Sequence, residues 1–433
     1  MKKSIIILSV LTFSVISSFA QDSTTTSTVK KGWKFGGGLP DIAFNSDEGF
    51  KYGALCNVYD YGDGTYYPNY KRAIYAEWSR TTKGSGINRI YYDDKKFLNK
   101  DLRFYADFNY LTERILDFYG FNGYNALYNT DFEDTISKGY YKIERKMLQF
   151  YCDLRGKIGT SGLKWYGGYI FQNQKLDIPD VDKLNKGKDE EDKFPEVNLS
   201  NSLYLQYIQS GLIEEDEADG GTNHQFIGGL IFDTRDNEAC PAHGMWNEIM
   251  LIGATSFKND NKSYTALNAS IRQYFGICND KLIFTYRAQY FTTLSGNIPF
   301  YMLPFSYDSN CIYNALGANK NLRGIRRNRI VGQGYVYGNF ETRWKFFKTK
   351  IAGQDLYLAL AGFADAGRVT KYYKHDLMKS LGNIEDDENF HPTAGLGFHI
   401  AFNNNFVVSI DHGRSLDSRD GEAGTYINIG WLW

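Results

Sequence analysis

The segment LRGIRRNR places four arginines within seven residues of a chain whose formal net charge is only −1: Arg323, Arg326, Arg327 and Arg329. A guanidinium group binds a carboxylate or a phosphate through two parallel hydrogen bonds. Such a cluster is suited to nucleic acid, a membrane surface or an acidic ligand, and equally to an ion pair within the protein itself. The elements that surround the arginines decide among these.

No other group of reactive side chains forms a recognisable site. The histidines show no metal-ligand spacing: His224, His243, His375, His391, His399 and His412. The cysteines include no CxxC pair: Cys56, Cys152, Cys240, Cys278 and Cys311. A Gly-x-Ser-x-Gly motif, a nucleophile-base-acid set and a glycine loop before a helix are also missing from the sequence. We therefore expect no enzymatic activity, no metal and no cofactor.

The N-terminus predicts export. A short positive region, Met1 to Lys3, precedes a mostly apolar stretch that ends at Ser18-Phe19-Ala20. This pattern is typical of a secretory signal peptide over residues 1–20, because the apolar core is too short for a spanning helix and ends in a cleavage site. No cysteine follows the cleavage site, so we do not expect a lipid anchor.

The composition favours many strands with one apolar and one polar face. The chain contains 34 Tyr, 30 Phe and 43 Gly but only 8 Pro. After the leader no segment approaches the roughly 18 to 20 apolar residues of a spanning helix. Transmembrane β-barrels have this composition, since their signal is alternation and not bulk hydrophobicity. Composition alone leaves a secreted β-sandwich or propeller open.

Residues 332–346 carry the clearest alternation. The even positions are mostly apolar or small: Gly332, Gly334, Val336, Gly338, Phe340, Thr342, Trp344 and Phe346. The odd positions are polar or aromatic: Gln333, Tyr335, Tyr337, Asn339, Glu341, Arg343 and Lys345. Side chains alternate across a strand, so the pattern predicts a strand with an apolar exterior and a polar interior.

The same alternation predicts about sixteen strands, an even number as in bacterial single-chain barrels. The upstream strands are expected near residues 33–44, 49–60, 70–82, 101–110, 114–121, 140–157, 163–176, 224–234, 245–257, 264–275 and 282–292, and four strands follow residue 346. Short turns would face the periplasm, and long polar stretches such as 180–222 would be outer loops. We predict an all-β fold, an antiparallel transmembrane barrel over residues 33–433, preceded by a short polar segment, 21–32.

The last strands also place polar residues inside. Alternation turns Phe363 and Asp365 inward in one strand and Asp411 inward in another. The C-terminal segment TYINIGWLW puts its apolar side chains on one face: Ile427, Ile429, Trp431 and Trp433. We expect these tryptophans to lie in an aromatic girdle at the membrane interface.

Four motifs, in order along the chain, resemble the outer-membrane assembly-factor superfamily. They are GGGLPDIAFNSDEGFKYGA near the start, FDTRDNEACPAHG at 232–244, LRGIRRNRIVGQG followed by NFETRW, and FADAG at 363–367. This superfamily includes BamA-like and TamA-like proteins, two-partner-secretion transporters and the bacterial surface antigen barrels. The resemblance extends over nearly the whole mature chain.

The resemblance implies that a long loop before the twelfth strand folds into the lumen with Arg323-Gly324 at its tip. A desolvated arginine needs a carboxylate partner, and Asp365, within the Phe363–Gly367 motif, is inward-facing. We predict an Arg323–Asp365 pair, with Glu341 or Asp411 as a secondary partner. The alternative is a solvated loop that binds nothing. That alternative is favoured for the other three arginines, which have no predicted partner.

The resemblance also implies a seam between the first and last strands that can open sideways. Gly36, Gly37, Gly38 and Pro40 would weaken the first strand at this seam, since glycine packs poorly and proline cannot donate to the ladder. Trp431 and Trp433 would lie on the opposite side of the seam. Lumen-facing glycines and a strand-end proline are the alternative interpretation.

The expected function is insertion or translocation of proteins or lipids at the outer membrane. Only a dozen polar residues precede the first predicted strand, so we expect a barrel without the periplasmic POTRA repeats of BamA-like proteins. Expected partners are outer-membrane lipid, a client in transit and periplasmic or outer-membrane accessory proteins, but not nucleic acid. A passive pore or structural barrel is the alternative. Whether Cys240 and Cys278 pair across two predicted periplasmic turns is left open.

Overall fold

Sixteen strands pair antiparallel with their neighbours in chain order and close into a barrel in which the first strand meets the last. This confirms the predicted fold class. In a computed structural model, residues 29–45, 48–67, 69–256, 262–310, 312–314, 316–351, 354–402, 406–421 and 423–431 are described. The predicted signal peptide, most of the polar segment 21–32 and Trp433 lie outside these ranges.

The strands are numbered in chain order. Their bounds are β1 Trp33–Asn45, β2 Gly49–Asp60, β3 Arg72–Thr81, β4 Gly86–Asp94, β5 Leu102–Asp117, β6 Lys142–Lys157, β7 Leu163–Asp177, β8 Gly220–Asp233, β9 His243–Thr255, β10 Tyr264–Ile277, β11 Leu282–Gly296, β12 Phe305–Tyr307, β13 Ile312–Asn314, β14 Gly334–Ile351, β15 Gln354–Lys371, β16 His391–Phe402, β17 Phe406–Ser415 and β18 Ala423–Ile429. β12 and β13 form a separate hairpin, so β14 is the twelfth strand of the barrel.

Short helices lie in the connections. Their bounds are α1 Asp131–Thr135, α2 Val181–Asn185, α3 Leu203–Gln209, α4 Glu215–Ala218 and α5 His375–Ser380. No helix among the described residues is long and apolar enough to cross a membrane.

Alternation in β14 is as predicted. Asn339, Glu341 and Arg343 are buried in the lumen, whereas Phe340 and Trp344 are half exposed on the outside. Large apolar side chains form an outward belt on other strands too, including Trp78, Ile90, Phe108, Phe226, Leu251, Phe275 and Leu396. A continuous belt of this kind fits contact with lipid, which needs no polar partner.

The predicted division of the fourth and fifth strands was wrong. Residues 101–110 and 114–121 were expected to form two strands, but β5 runs unbroken from Leu102 to Asp117. Its register against β6 shifts between Glu113 and Leu116, so a bulge, not a turn, interrupts the alternation there. The fourth strand is β4, whose residues GINRIYYDD alternate less clearly.

The two ends of the barrel differ. At the end that we call the turn end, the connections are mostly short, such as 158–162 and 278–281. The opposite end, the loop end, carries long connections such as 118–141, 178–219 and 372–390. These loops pack together through aromatic rings, and the ring centroids of Phe121 and Tyr373 are 4.7 Å apart. In the predicted orientation, the turn end faces the periplasm.

Trp431 lies inside the barrel mouth, and the predicted place in an interfacial girdle was wrong. Gly430 has a φ of +95°, so the chain leaves the strand alternation just before this tryptophan. Its ring packs at 4.5 Å from His399 and 4.1 Å from the guanidinium of Arg343. Its Nε1 donates a hydrogen bond to the Sγ of Cys240, 3.3 Å away in the turn between β8 and β9. Both Cys240 and Cys278 are free thiols.

The outward belt gives the first prediction. Leu396 is 73% exposed in the middle of β16, so Leu396→Arg should destabilise the barrel by about 2–4 kcal/mol in vesicles, because the charge would lie in lipid. Urea unfolding of the folded band on semi-native gels measures this. Leu381→Arg, on an exposed leucine just after α5, is the matched control and should change little; equal losses would contradict the lipid-facing assignment.

Candidate functional site

The described residues of the connection from β11 to β14, which are 297–310, 312–314 and 316–333, lie inside the lumen, and we call them the lumenal loop. It contains the β12–β13 hairpin and closes on itself through a bridge between Leu316 and Ile330. Leu322 and Ile325, on either side of the Arg323-Gly324 pair, are fully buried. A charged loop can remain in this position only if its polar groups find partners on the barrel wall.

The hairpin is fixed to the wall formed by β10 and β11. Asn268 Nδ2 and Gln289 Nε2 donate to the carbonyl oxygen of Tyr307 at 3.0 and 2.9 Å. Arg272 Nη2 is 3.1 Å from Asp308 Oδ2. Sequence reasoning missed this attachment, since Asp308 follows β12, a three-residue strand too short to show alternation.

Arg323 is bound by two carboxylates on adjacent strands. Its Nε and Nη2 donate to Oδ2 and Oδ1 of Asp365 on β15, each at 3.0 Å. Its backbone N–H donates to the same Asp365 Oδ2 at 3.2 Å, and its Nη1 donates to Glu341 Oε2 on β14 at 2.6 Å. The structure thus brings together the predicted primary pair and one of the two predicted secondary partners.

The ring of Phe363 packs against the face of the same guanidinium. The Cζ atom of Arg323 lies 3.4 Å from the centroid of its ring, a cation–π contact within the buried site. Glu341 is shared, because Arg343 Nε also donates to its Oε1 at 2.7 Å. Two arginines therefore face two carboxylates, which leaves the buried group neutral and limits the cost of removing it from water.

Gly324 permits the loop to touch the barrel backbone. Its φ is +103°, and a Cβ atom there would lie 2.6 Å from the carbonyl carbon of Gly413 and from the nitrogen of Arg414 on β17. Gly413 is required in return, since its own Cβ would lie 2.4 Å from the carbonyl oxygen of Arg323. The Gly324 N–H donates to Tyr426 Oη of β18 at 3.2 Å. Neither Gly413 nor Tyr426 was predicted as a partner of the loop from the sequence.

Of the remaining predicted residues, Gly367 contacts the loop, whereas Asp411 pairs elsewhere. Gly367 makes room for the loop, because a Cβ there would approach Leu316 and Leu322 at 3.1 Å. Asp411 is buried and inward as predicted, but its Oδ1 lies 2.8 Å from Nε2 of His399 on the adjacent strand β16. The second carboxylate that binds Arg323 is Glu341 and not Asp411.

Arg327 and Arg329 of LRGIRRNR are buried and Arg326 is half-buried, which corrects the interpretation favoured from sequence for the first two. Arg327 forms ion pairs with Glu113 on β5 and, at 3.1 Å, with Glu48 beside β2. Arg329 Nη1 donates to the carbonyl oxygen of Gly123 at 2.8 Å. Arg326 lies 5.9 Å from the ring centroid of Tyr128. These partners lie in the short β1–β2 connection, on β5 and in the connection after β5, so no local pattern identifies them.

The joint between β1 and β18 is short. It consists of Phe44 opposite Ile427 and Asn45 opposite Tyr426, whereas β1 pairs with β2 over almost its full length. Gly36, Gly37, Gly38 and Pro40 all lie on the part of β1 that has no β18 partner within the described ranges. Gly37, with a φ of +117°, occupies a register shift between β1 and β2.

These features define the molecule as an outer-membrane β-barrel of the BamA type, with a lumenal loop locked to its wall. A family model described as the Omp85 superfamily domain matches residues 59–430, and the chain belongs to this superfamily. Members of the superfamily are transporters and assembly factors rather than enzymes.

Solved structures support the fold. BamA from Haemophilus ducreyi lacking POTRA domains 1–3 superposes with a TM-score of 0.56 at 14% identity, over 93% of this chain and 70% of that one. CdiB from Escherichia coli gives a TM-score of 0.56 at 8% identity, over 94% of this chain. The chain spans 63% of the CdiB length. No curated protein sequence matches it.

The ion pair gives the second prediction. Arg323→Ala and Asp365→Ala should each destabilise the barrel by about 3–5 kcal/mol, because each leaves a buried charge without its partner. The double variant should cost clearly less than the sum, with coupling of about 0.5–3 kcal/mol, measured by urea unfolding. Arg368→Ala, on the outward face of β15, is the control. Additive losses would mean that the two side chains do not act as a pair.

The glycine contact gives the third prediction. Gly324→Ala should lower the unfolding temperature and make the lumenal loop accessible to protease, because the methyl group would enter the backbone of Gly413. Gly211→Ala is the matched control: its φ is +74°, but no atom lies within 4 Å of the added Cβ. Equal effects of the two substitutions would attribute the loss to backbone strain alone.

Proposed function

We propose that this barrel inserts or translocates proteins at the bacterial outer membrane, and that the β1–β18 seam is where the client engages. The observation that carries the proposal is the short seam. Over most of its length, β1 lacks a β18 partner in the part of the chain that the structure describes. Membership of the Omp85 superfamily supports the same function.

An edge strand of this kind recognises extended polypeptide. Its unpaired N–H and C=O groups offer a ladder to any incoming strand, whatever the side chains of that strand. Pro40 and the three glycines from Gly36 to Gly38 keep this edge weakly paired, since proline removes one donor and glycine adds no packing surface. A lipid has no backbone to pair with such a strand, so the geometry favours protein clients.

The lumenal loop supports a gating role because it reaches both sides of the seam. Gly324 binds Tyr426 on β18, the last strand. Arg327 binds Glu48, in the connection between the first two strands. The loop therefore holds the two sides in register where the strands themselves make only a short joint. Release of these contacts would leave little backbone pairing to keep the barrel closed.

A passive pore is the weaker candidate. The lumenal loop occupies part of the interior, and its groups are bound to β5, β15 and β18. The loop end is covered by aromatic packing that includes Tyr119, Phe121 and Tyr207. Among the described residues, this packing favours a closed lumen over steady conductance.

Crosslinking the seam gives the fourth prediction. Phe44→Cys with Ile427→Cys places two thiols on directly opposed residues, within the reach of a disulfide. In cells that depend on this variant, oxidation should block accumulation of folded outer-membrane or secreted client proteins, and reduction should restore it. Quantitative proteomics of membrane and medium, compared with depletion of the chain, identifies the affected clients.

A second crosslink controls for the chemistry. Phe398→Cys with Ile410→Cys joins β16 to β17, two strands that are already paired along most of their length. That crosslink should leave client levels unchanged. If the crosslinked seam supports normal client levels, or if depletion changes no client and the protein conducts ions steadily in planar bilayers, the proposed function is wrong.

A further inference from the structure

A cavity of about 300 Å³ lies at the turn end of the barrel, apart from the seam and the Arg323 lock. It is bordered by the β4–β5 and β8–β9 turns, by the ends of β6 and β7, and by Ser309 and Asn310 at the tip of the lumenal hairpin. This volume is many times the roughly 10–15 Å³ that one water molecule needs, so the cavity has room for a few side chains.

Basic residues dominate the lining. Seven line the cavity: Lys95, Lys96, Arg103, Arg155, Lys157, Lys164 and Arg235. Three acidic residues line it as well: Asp101, Asp233 and Glu238. Four further carboxylates stand behind the wall: Asp93 binds Arg103 at 2.9 Å, Asp153 binds Arg155 at 2.6 Å, and Glu248 and Asp308 share Arg272. With these groups included, eight positive charges stand against seven negative ones. The lining itself carries seven positive and three negative side chains, which favours an anionic ligand.

One carboxylate already occupies the cavity edge from within the chain. Glu238, in the β8–β9 turn, accepts a hydrogen bond at 3.0 Å from Arg103 Nη1, the donor that Asp93 leaves unused. Desolvation acts to raise the pKa of Glu238, but the charges of Arg103 and Lys95 outweigh it and lower the pKa to about 2. The Glu238 side chain remains 54% exposed, so an external group can reach and replace it.

The lining is unsuited to a lipid. Its apolar members are Leu102, Ile231 and Trp246. The ring of Trp246 is stacked by guanidinium groups, with Arg235 at 4.2 Å and Arg272 at 4.0 Å from its centroid. An acyl chain would therefore find no continuous apolar surface. A carboxylate of a polypeptide side chain, by contrast, is the kind of group that already binds Arg103, in the form of Glu238.

We propose that this cavity binds acidic side chains of an extended polypeptide that arrives from the turn end, one carboxylate taking the place of Glu238 on Arg103. The inference rests on the proposed function for the nature of the ligand. The turn that carries Glu238 also carries Cys240, which contacts Trp431 just beyond β18. The β8–β9 turn therefore contacts both the cavity and the residue that follows the last strand.

Peptide binding to the full chain in detergent tests the site. A glutamate-rich extended peptide with a neutral fluorophore should bind, as measured by fluorescence anisotropy, at least about tenfold tighter than the same peptide with glutamine at those positions. Binding should weaken with salt, since the lining is partly exposed. Glu238→Gln, which removes the internal competitor, should tighten binding about two- to fivefold, the effect of one exposed ion pair.

Lys157→Glu tests the lining without disturbing its buried pairs. Lys157 is 65% exposed and lies 4.0 Å from Asp101. Lys350→Glu is the matched control, on a lysine 73% exposed and 3.9 Å from Asp355 in another part of the barrel. Only Lys157→Glu should weaken the acidic peptide. Equal effects of the two reversals, or equal affinity for the glutamate and glutamine peptides, would overturn the proposal.

Two further arms separate the explanations. Short-chain phosphatidylglycerol that displaces the peptide and binds more tightly would assign the cavity to lipid and overturn the proposal. The seam-crosslinked protein should still bind the peptide, since the cavity is remote from Phe44 and Ile427. If the peptide binds but cells with the crosslinked seam keep normal client levels, the proposed function is wrong and the cavity proposal stands. If the crosslinked seam lowers client levels but the peptide does not bind, the cavity proposal alone is wrong.

Discussion

The buried guanidinium of Arg323 is the constraint on which the rest of the site depends. A charge this deep in the lumen is tolerated only because Asp365 takes it in a bidentate pair and Glu341 takes the remaining donor. Both carboxylates are on the wall, so the pair holds the loop against β14 and β15. The close approach of Gly324 to Gly413 follows from the same position, because a side chain at either glycine would push the guanidinium away from its partners.

The loop compensates for a weak closure of the barrel. Strand pairing joins β1 to β18 over only a short stretch, yet each side of that joint is tied to the loop, through Tyr426 and through Glu48. A barrel closed by ladder hydrogen bonds alone would need to break them one after another to open. Here a few side-chain contacts carry part of the closure. At the turn end, Glu238 accepts from the Arg103 donor that Asp93 leaves unused.

Much of the fold was predictable because side chains along a barrel strand face lipid and lumen in turn, so apolar and polar residues alternate in the sequence. Polar and apolar residues alternate in β14 and β15, and the alternation placed Glu341 and Asp365 inside. The bulge in β5 shows the limit of this signal: it interrupts the alternation without ending the strand. Trp431 shows another limit, since a single glycine with positive φ moved it from the expected girdle into the barrel mouth.

By itself, the sequence determined most of the strand pattern, the inward face and the Arg323–Asp365 pair, because alternation and a family signature are local in the chain. Only the tertiary structure decided what the other arginines do. Arg327 and Arg329 bind groups 200 or more residues away, in β5 and in the loop after it. The basic cavity is likewise assembled from four separate parts of the chain. Contacts between distant segments depend on barrel closure and loop placement, and neither leaves a periodic trace in the sequence.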